Sequence, residues 1–170
     1  LSPSSPRISC FAWAREAAAL LGAQGDPPPT DFVCVGDDGP VEEYGSARII
    51  FAGRASDSAG MPAYYQAADV YLHPSRADTA PFSVLEAMAS GLPVVATRVG
   101  GIPEQVADTE SGWLTAPGDV PAIASRLAGL LADRARAAEM GAAGRRIVLE
   151  RFTFAAQTDR MLELLARLAG

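Results

Sequence analysis

The sequence predicts an α/β domain built on a doubly wound parallel sheet. Three observations carry this: short apolar runs too brief for helices, helical spacing after most of them, and a change to helices alone after Gly118. At 170 residues and 49% hydrophobic composition, the chain is long enough for one well-buried core and short for two. Residues 1–170 are therefore read as one domain, with 119–170 as a C-terminal helical segment.

The elements follow in order. A helix is predicted near Ile8 to Leu21, then a loop from Gly22 to Thr30, whose Gly25-Asp26-Pro27-Pro28-Pro29 suits neither helix nor strand. Strands are predicted at Phe32 to Val35, Ile49 to Ala52, Val70 to Leu72, Val94 to Ala96 and, more weakly, Trp113-Leu114, read as apolar on both faces as buried parallel strands require. Helices fall near Met61 to Ala68, Ser83 to Ser90 and Ile102 to Ala107, alternating with strands as in an open doubly wound sheet. After Gly118 come three helices with Asp119, Asp133 and Thr153 as N-caps. Ile123, Leu127, Leu130 and Leu131 form an apolar stripe in the first, and Phe154, Met161, Leu162, Leu165 and Leu168 in the last, and both stripes are expected to pack against the sheet.

Composition excludes several classes. The net charge is -6 and all 14 basic residues are arginines, which argues against a nucleic-acid partner. No stretch approaches the roughly 20 apolar residues of a membrane span, and the opening residues lack a signal-peptide pattern, so a soluble, cytoplasmic domain is expected. Cys10 and Cys34 suggest neither disulfide nor metal site, and Asp37-Asp38 reads as a turn rather than a metal pair. The first residue is Leu1, and the opening segment leads towards a helix, so the start is read as truncated, with the first strand missing.

In an open parallel sheet the ligand crevice lies beyond the carboxyl ends of the strands. The loop after Leu72 places Asp78 eight positions before Glu86, and the N–H groups of Phe82, Ser83 and Val84 at the following helix start suit a diphosphate. Glu86 could accept paired hydrogen bonds from vicinal hydroxyls. Ser83-x-x-Glu86 equally fits a capping box, in which Glu86 bonds back to the Ser83 N–H. Gly100-Gly101 permits close backbone approach to a ligand, or is an ordinary turn. Arg54, at another strand end, could face a phosphate or base, or be a solvated arginine. His73, the only histidine, is read as structural.

The motifs Ala68-Asp69-Val70-Tyr71-Leu72-His73-Pro74-Ser75, then Leu85-Glu86-Ala87-Met88-Ala89-Ser90-Gly91-Leu92-Pro93-Val94-Val95-Ala96-Thr97, then Val99-Gly100-Gly101-Ile102-Pro103-Glu104 resemble the donor-binding domain of group 1 glycosyltransferases. Weaker agreement runs from Val35-Gly36-Asp37 to Phe152-Thr153-Phe154. The resemblance implies the Rossmann-like C-terminal half of the retaining GT-B class. It implies that Glu86 contacts the ribose of a nucleotide sugar and Asp78, in place of the family's glutamate, the transferred sugar. Arg54, Phe82, Ser83, Val84, Gly100 and Gly101 would complete the donor site, with no cofactor and no metal. Acceptor binding would fall to a missing N-terminal domain. The family's strand ending in Gly-Arg, and its lysine, are not found here, so the second residue of the diphosphate clamp would have to be supplied by Arg7.

The implied activity is retaining transfer of a hexose from a nucleotide diphosphate sugar to a hydroxyl, with the isolated chain inactive. A non-catalytic nucleotide-binding domain is the alternative. A phosphoacceptor signalling domain is disfavoured by the absence of lysine, and a dinucleotide oxidoreductase by the absence of G-x-G-x-x-G.

Overall fold

The computed structural model describes residues 11–24, 29–54 and 60–169. The predicted start at Ile8, Arg7, Cys10, residues 25–28 of the proline-rich loop and residues 55–59 after Arg54 lie outside the described residues.

Helix α1 (Phe11–Ala23) buries Ala14, Ala17, Ala18 and Leu21, a face with helical period whose small side chains admit a close neighbour. It is followed by β1 (Thr30–Cys34), β2 (Glu42–Tyr44) and β3 (Ala47–Phe51). In the second half, α2 (Gly60–Ala67), β4 (Tyr71–His73), α3 (Phe82–Ala89), β5 (Val94–Thr97), α4 (Ile102–Gln105) and β6 (Gly112–Thr115) alternate as predicted. Three helices close the chain: α5 (Val120–Ala132), α6 (Arg134–Arg151) and α7 (Phe154–Ala169).

β5 organises the core because both of its faces are covered. Val95 joins α1 and α5 through Ala17, Leu21, Ile123, Leu127 and Leu130, while Val94 and Ala96 join α3, α4 and α6 through Val84, Met88, Ile102 and Ile147. Alternate side chains of one strand thus enter opposite layers, which is what winding helices on both faces means physically. The caps are local chemistry and form where predicted: Asp119, Asp133 and Thr153 accept from the backbone N–H of Ala122, Arg136 and Ala156 at 3.1, 2.9 and 3.2 Å.

Four expectations are corrected. Among the described residues the strands form two three-stranded ladders, ordered β1-β3-β2 and β4-β5-β6, rather than one sheet of five. β2 was not predicted: Glu42 and Glu43 make it polar, and it pairs antiparallel with β3 across a turn in which Gly45 has φ 63°. Arg15 of α1 holds it, donating through Nε and Nη2 to both Glu42 oxygens at 2.8 and 2.7 Å, which lowers the Glu42 carboxyl and raises the guanidinium.

β1 and β3 are covered on one face only. Val33 is 50% exposed, and Asp31 pairs with Arg48 on the outward side, where the Arg48 hydrogen bond holds the Asp31 carboxyl below its usual range.

The apolar stripe of α7 does not pack against the sheet. The helix rests against α6, and Phe154 is 90% and Leu168 76% exposed. Ile123 on α5 is fully buried, whereas Leu165 on α7 is 54% exposed. Ile123→Ala is therefore expected to cost about 3 kcal/mol in urea unfolding and Leu165→Ala no more than about 0.5 kcal/mol. Equal losses would mean that the α7 stripe is covered in solution.

Candidate functional site

The loops leaving β4 and β5 meet at the carboxyl end of the second ladder. β4 runs parallel to β5 with His73 opposite Ala96, and Pro74 keeps His73 extended. The chain then folds over the end of β5. The buried Thr97 hydroxyl donates to the Ser75 carbonyl at 2.5 Å, and the Ser75 hydroxyl donates to the Ala77 carbonyl at 3.0 Å.

The loop after β5 fixes the far side of this turn. Gly100 has φ 50°, and a Cβ there would overlap the Asp78 carbonyl oxygen, while one on Gly101 would overlap that of Thr79. The Gly101 N–H donates to the Thr79 carbonyl at 2.6 Å. The paired glycines therefore admit protein backbone, and Gly100 also borders a cleft of about 700 Å³ lined by Arg76, Ala77, Asp78, Thr79, Val99 and Gly100.

α3 starts at Pro81, which takes an extended conformation (φ -68°, ψ 123°) and offers no side-chain cap. The capping-box reading is thereby corrected: Ser83 sits inside the helix, and Glu86 Oε2 accepts instead from the Tyr65 hydroxyl of α2 at 3.0 Å. The expected trio of N–H groups is corrected too. The Val84 N–H donates to the Pro81 carbonyl at 3.3 Å and its side chain is fully buried, which leaves Phe82 and Ser83 to supply the forward amides.

Asp78 and Glu86 border two different depressions. Glu86 borders a smaller groove of about 270 Å³ with Met61, Pro62, Tyr65, Ala89 and Ser90, whereas Asp78 lies in the larger cleft. Arg54 is exposed just past β3 and lines neither.

Side chains that sequence reasoning passed over link the two carboxylates. His73 Nε2 lies 3.3 Å from Asp78 Oδ2, and the Tyr71 hydroxyl 3.4 Å from His73 Nδ1. The Tyr71 and His73 rings stack at 6.2 Å, and Tyr65 meets Tyr71 edge-on at 5.8 Å. Burial, more than the Asp78 hydrogen bond opposes it, lowers the His73 pKa, so the contact at neutral pH is a hydrogen bond and not an ion pair. Burial and then the Glu86 carboxylate raise the Tyr65 phenol, which stays a donor. Burial pushes the Cys34 thiol up to about 11, consistent with a packed, unreactive residue.

Two residues anchor the segment between β4 and α3. Arg76 lies over the Trp13 ring at 4.8 Å, and Gln105 Nε2 donates to the Pro81 carbonyl at 3.3 Å. The one available signal was the Met61 to Tyr65 spacing, which puts both on one face of α2. Among the described residues no three of His, Cys, Asp and Glu gather as a metal cluster would require, and no helix is long and apolar enough to cross a membrane.

Gly100→Ala is expected to cost about 2 kcal/mol or more in thermal or urea unfolding, because the left-handed backbone and the Asp78 carbonyl both oppose a methyl group. Gly129→Ala meets open space in α5 and is expected to be neutral or stabilising. Similar losses at both positions would contradict the backbone contact.

Likeness to known proteins gives the family and the fold. A family model described as glycosyl transferases group 1 matches residues 5–133. A GDP-mannose-dependent alpha-(1-6)-phosphatidylinositol monomannoside mannosyltransferase of Mycolicibacterium smegmatis is 38% identical over 131 residues, covering 73% of this chain and 34% of that protein. Sulfoquinovosyl transferase SQD2 of Arabidopsis thaliana is 34% identical over 150 residues, covering 84% and 29%. Among solved structures, Anabaena HepE in complex with UDP-glucose superposes with a TM-score of 0.71 at 25% identity, over 98% of this chain and 46% of that one. Sucrose-phosphate synthase of Thermosynechococcus elongatus gives 0.68 at 27% identity, over 91% and 48%. The chain thus spans about a third of the length of the curated relatives it matches. With its motifs, fold and family match in agreement, the chain belongs to the group 1 glycosyl transferases and carries the Rossmann-like C-terminal architecture of the GT-B fold.

Proposed function

We propose that this chain is the donor-binding part of a retaining glycosyltransferase that moves a hexose from a nucleotide diphosphate sugar to a hydroxyl acceptor. The observation that carries the reading is the placement of Asp78 in the 700 Å³ cleft and of Glu86 in a separate groove, with the start of α3 between them in sequence. A nucleotide sugar has the same three-part form. Glu86, oriented by Tyr65, would accept hydrogen bonds from the ribose hydroxyls. The Phe82 and Ser83 N–H groups and the Arg76 guanidinium would meet the diphosphate, and Asp78 the sugar hydroxyls.

In the transfer step the bond between the sugar anomeric carbon and the diphosphate oxygen breaks, a bond to the acceptor oxygen forms on the same face, and the acceptor hydroxyl's proton passes to the departing diphosphate oxygen. The leaving diphosphate gains charge, which helix amides and arginine stabilise more in the transition state than in the ground state. No step calls for a metal. UDP-glucose in the HepE complex, and GDP-mannose in the name of the mycobacterial relative, support the donor class.

Two outcomes test this. Glu86→Gln is expected to weaken UDP or GDP binding in calorimetry by about tenfold, equally with magnesium or with a chelator. Unchanged affinity removes Glu86 from the site, and a strict magnesium requirement overturns the metal-free reading.

The 170-residue chain incubated with nucleotide sugars and simple acceptors is expected to release no acceptor-dependent nucleotide. It spans 34% of a full-length relative, and losing even one preorganised contact to developing charge costs about 100-fold in rate. Turnover by the chain alone refutes the division of labour. Donor binding that never supports transfer, even with an acceptor domain supplied, favours a non-catalytic binding domain, the reading that aspartate in place of the family's glutamate also suits.

A further inference from the structure

We propose that His73 is a positioning residue for Asp78, holding that carboxylate for the donor sugar through Nε2 while Tyr71 fixes the imidazole from the other side. The inference rests on the reading of Asp78 as the sugar contact. It begins from geometry alone: Nε2 is 3.3 Å from Asp78 Oδ2, and Nδ1 is 3.4 Å from the Tyr71 hydroxyl. A neutral imidazole has one N–H and one bare nitrogen, so its two neighbours decide between tautomers. A carboxylate can only accept, which assigns the proton to Nε2. Nδ1 is then bare and accepts from the Tyr71 O–H.

The surroundings make this arrangement specific. The His73 backbone is held in the β4 ladder opposite Ala96, and Pro74 restricts it from the other side. Its ring stacks on Tyr71, which is met edge-on by Tyr65, whose hydroxyl serves Glu86. Asp78 has neither advantage. It sits on a loop, one methylene shorter than a glutamate; the Gly100 approach fixes its backbone, and the His73 contact is what bears on its two side-chain torsions. Hydrogen bonds of 3.3 to 3.4 Å are long, and such contacts tighten when a ligand completes the site.

Titration gives the inference a signature. Among the described residues, Asp78 and Tyr71 are the polar side chains that bond to the imidazole, and Asp78 is the charged group acting on it. Burial lowers the His73 pKa, so the neutral ring prevails at pH 7 and the imidazolium forms below the ordinary histidine range. Protonation puts a second N–H on Nδ1, displaces the Tyr71 donor and neutralises Asp78, so the sugar should contribute less to binding in acid.

The test compares UDP-glucose with UDP, and GDP-mannose with GDP, by calorimetry between pH 4.5 and 8 on the whole chain, with folding of each variant checked by thermal unfolding at each pH. His73 is the only histidine, so a single imidazole resonance reports its titration. In the parent, Asp78→Asn is expected to lower the His73 pKa further, since the carboxylate raises it. His73→Ala is expected to reduce the advantage of the nucleotide sugar over the nucleotide about fivefold or more, leaving nucleotide affinity within about twofold. His73→Gln, which offers an N–H at similar reach and does not titrate, is expected to restore that advantage and abolish its decline in acid. A His73 titration unmoved by Asp78→Asn, a His73→Ala variant that keeps the full sugar advantage, or a His73→Gln variant that retains the acid decline each overturns the proposal. If the parent binds no nucleotide or nucleotide sugar, the donor-binding reading fails, and with it the role assigned to His73. The resonance experiment then still reports whether His73 and Asp78 interact, so the two failures are told apart.

Discussion

The contact on which the site depends is one of backbone against backbone. Gly100, at a positive φ, and Gly101 lie against the carbonyls of Asp78 and Thr79, where no side chain fits. This approach joins the loop after β4 to the loop after β5, and the hydrogen bond from the Gly101 N–H to Thr79 secures it. Thr97 pins the same loop nearer its start and Gln105 holds Pro81 at its end. A loop anchored at these points can present Asp78 with little residual backbone freedom, so the ordering entropy is met by folding rather than by ligand binding. The glycines set where the cleft wall stands.

How much of this was legible follows from how local each signal is. The both-faced burial of β5 was visible because Val94-Val95-Ala96 leaves no polar face, and the three helix caps were visible because cap chemistry acts within three residues. β2 was not visible, since its Glu42 is stabilised by Arg15, 27 residues away in sequence. The α7 stripe shows a different limit. Periodicity reports that a helix has an apolar face and says nothing of what lies opposite it. Glu86 is a third case: its spacing from Ser83 fits a local cap, but the helix begins at Pro81, and a phenol from α2 takes the carboxylate.

The sequence distance between Asp78 and Glu86 also misleads when read as spatial pairing. Eight residues that cross from loop into helix turn the two side chains towards different depressions. What relates them is a run of rings from α2 and β4, Tyr65, Tyr71 and His73, each touching the next. Rings suit this purpose because they are rigid, pack as hydrophobes and carry a polar atom at the rim. Each carboxylate thus has a neutral donor at its back, the Tyr65 hydroxyl for Glu86 and the His73 imidazole for Asp78.

That arrangement resolves an apparent conflict in the electrostatics. A chain of net charge -6 with no lysine is a poor host for a diphosphate if its carboxylates crowd the phosphates. Two acids in one pocket would repel each other as well as the ligand. In the proposed donor-binding reading, placing Asp78 and Glu86 in separate depressions puts each where a donor would offer hydroxyls. It also leaves the intervening start of α3, with its forward amides, and Arg76 over Trp13 for the anionic centre. Neutral donors behind the carboxylates serve the same end. They orient each acid without cancelling its charge, so its capacity to accept further hydrogen bonds is kept, whereas a lysine or arginine in their place would have spent that capacity on an ion pair.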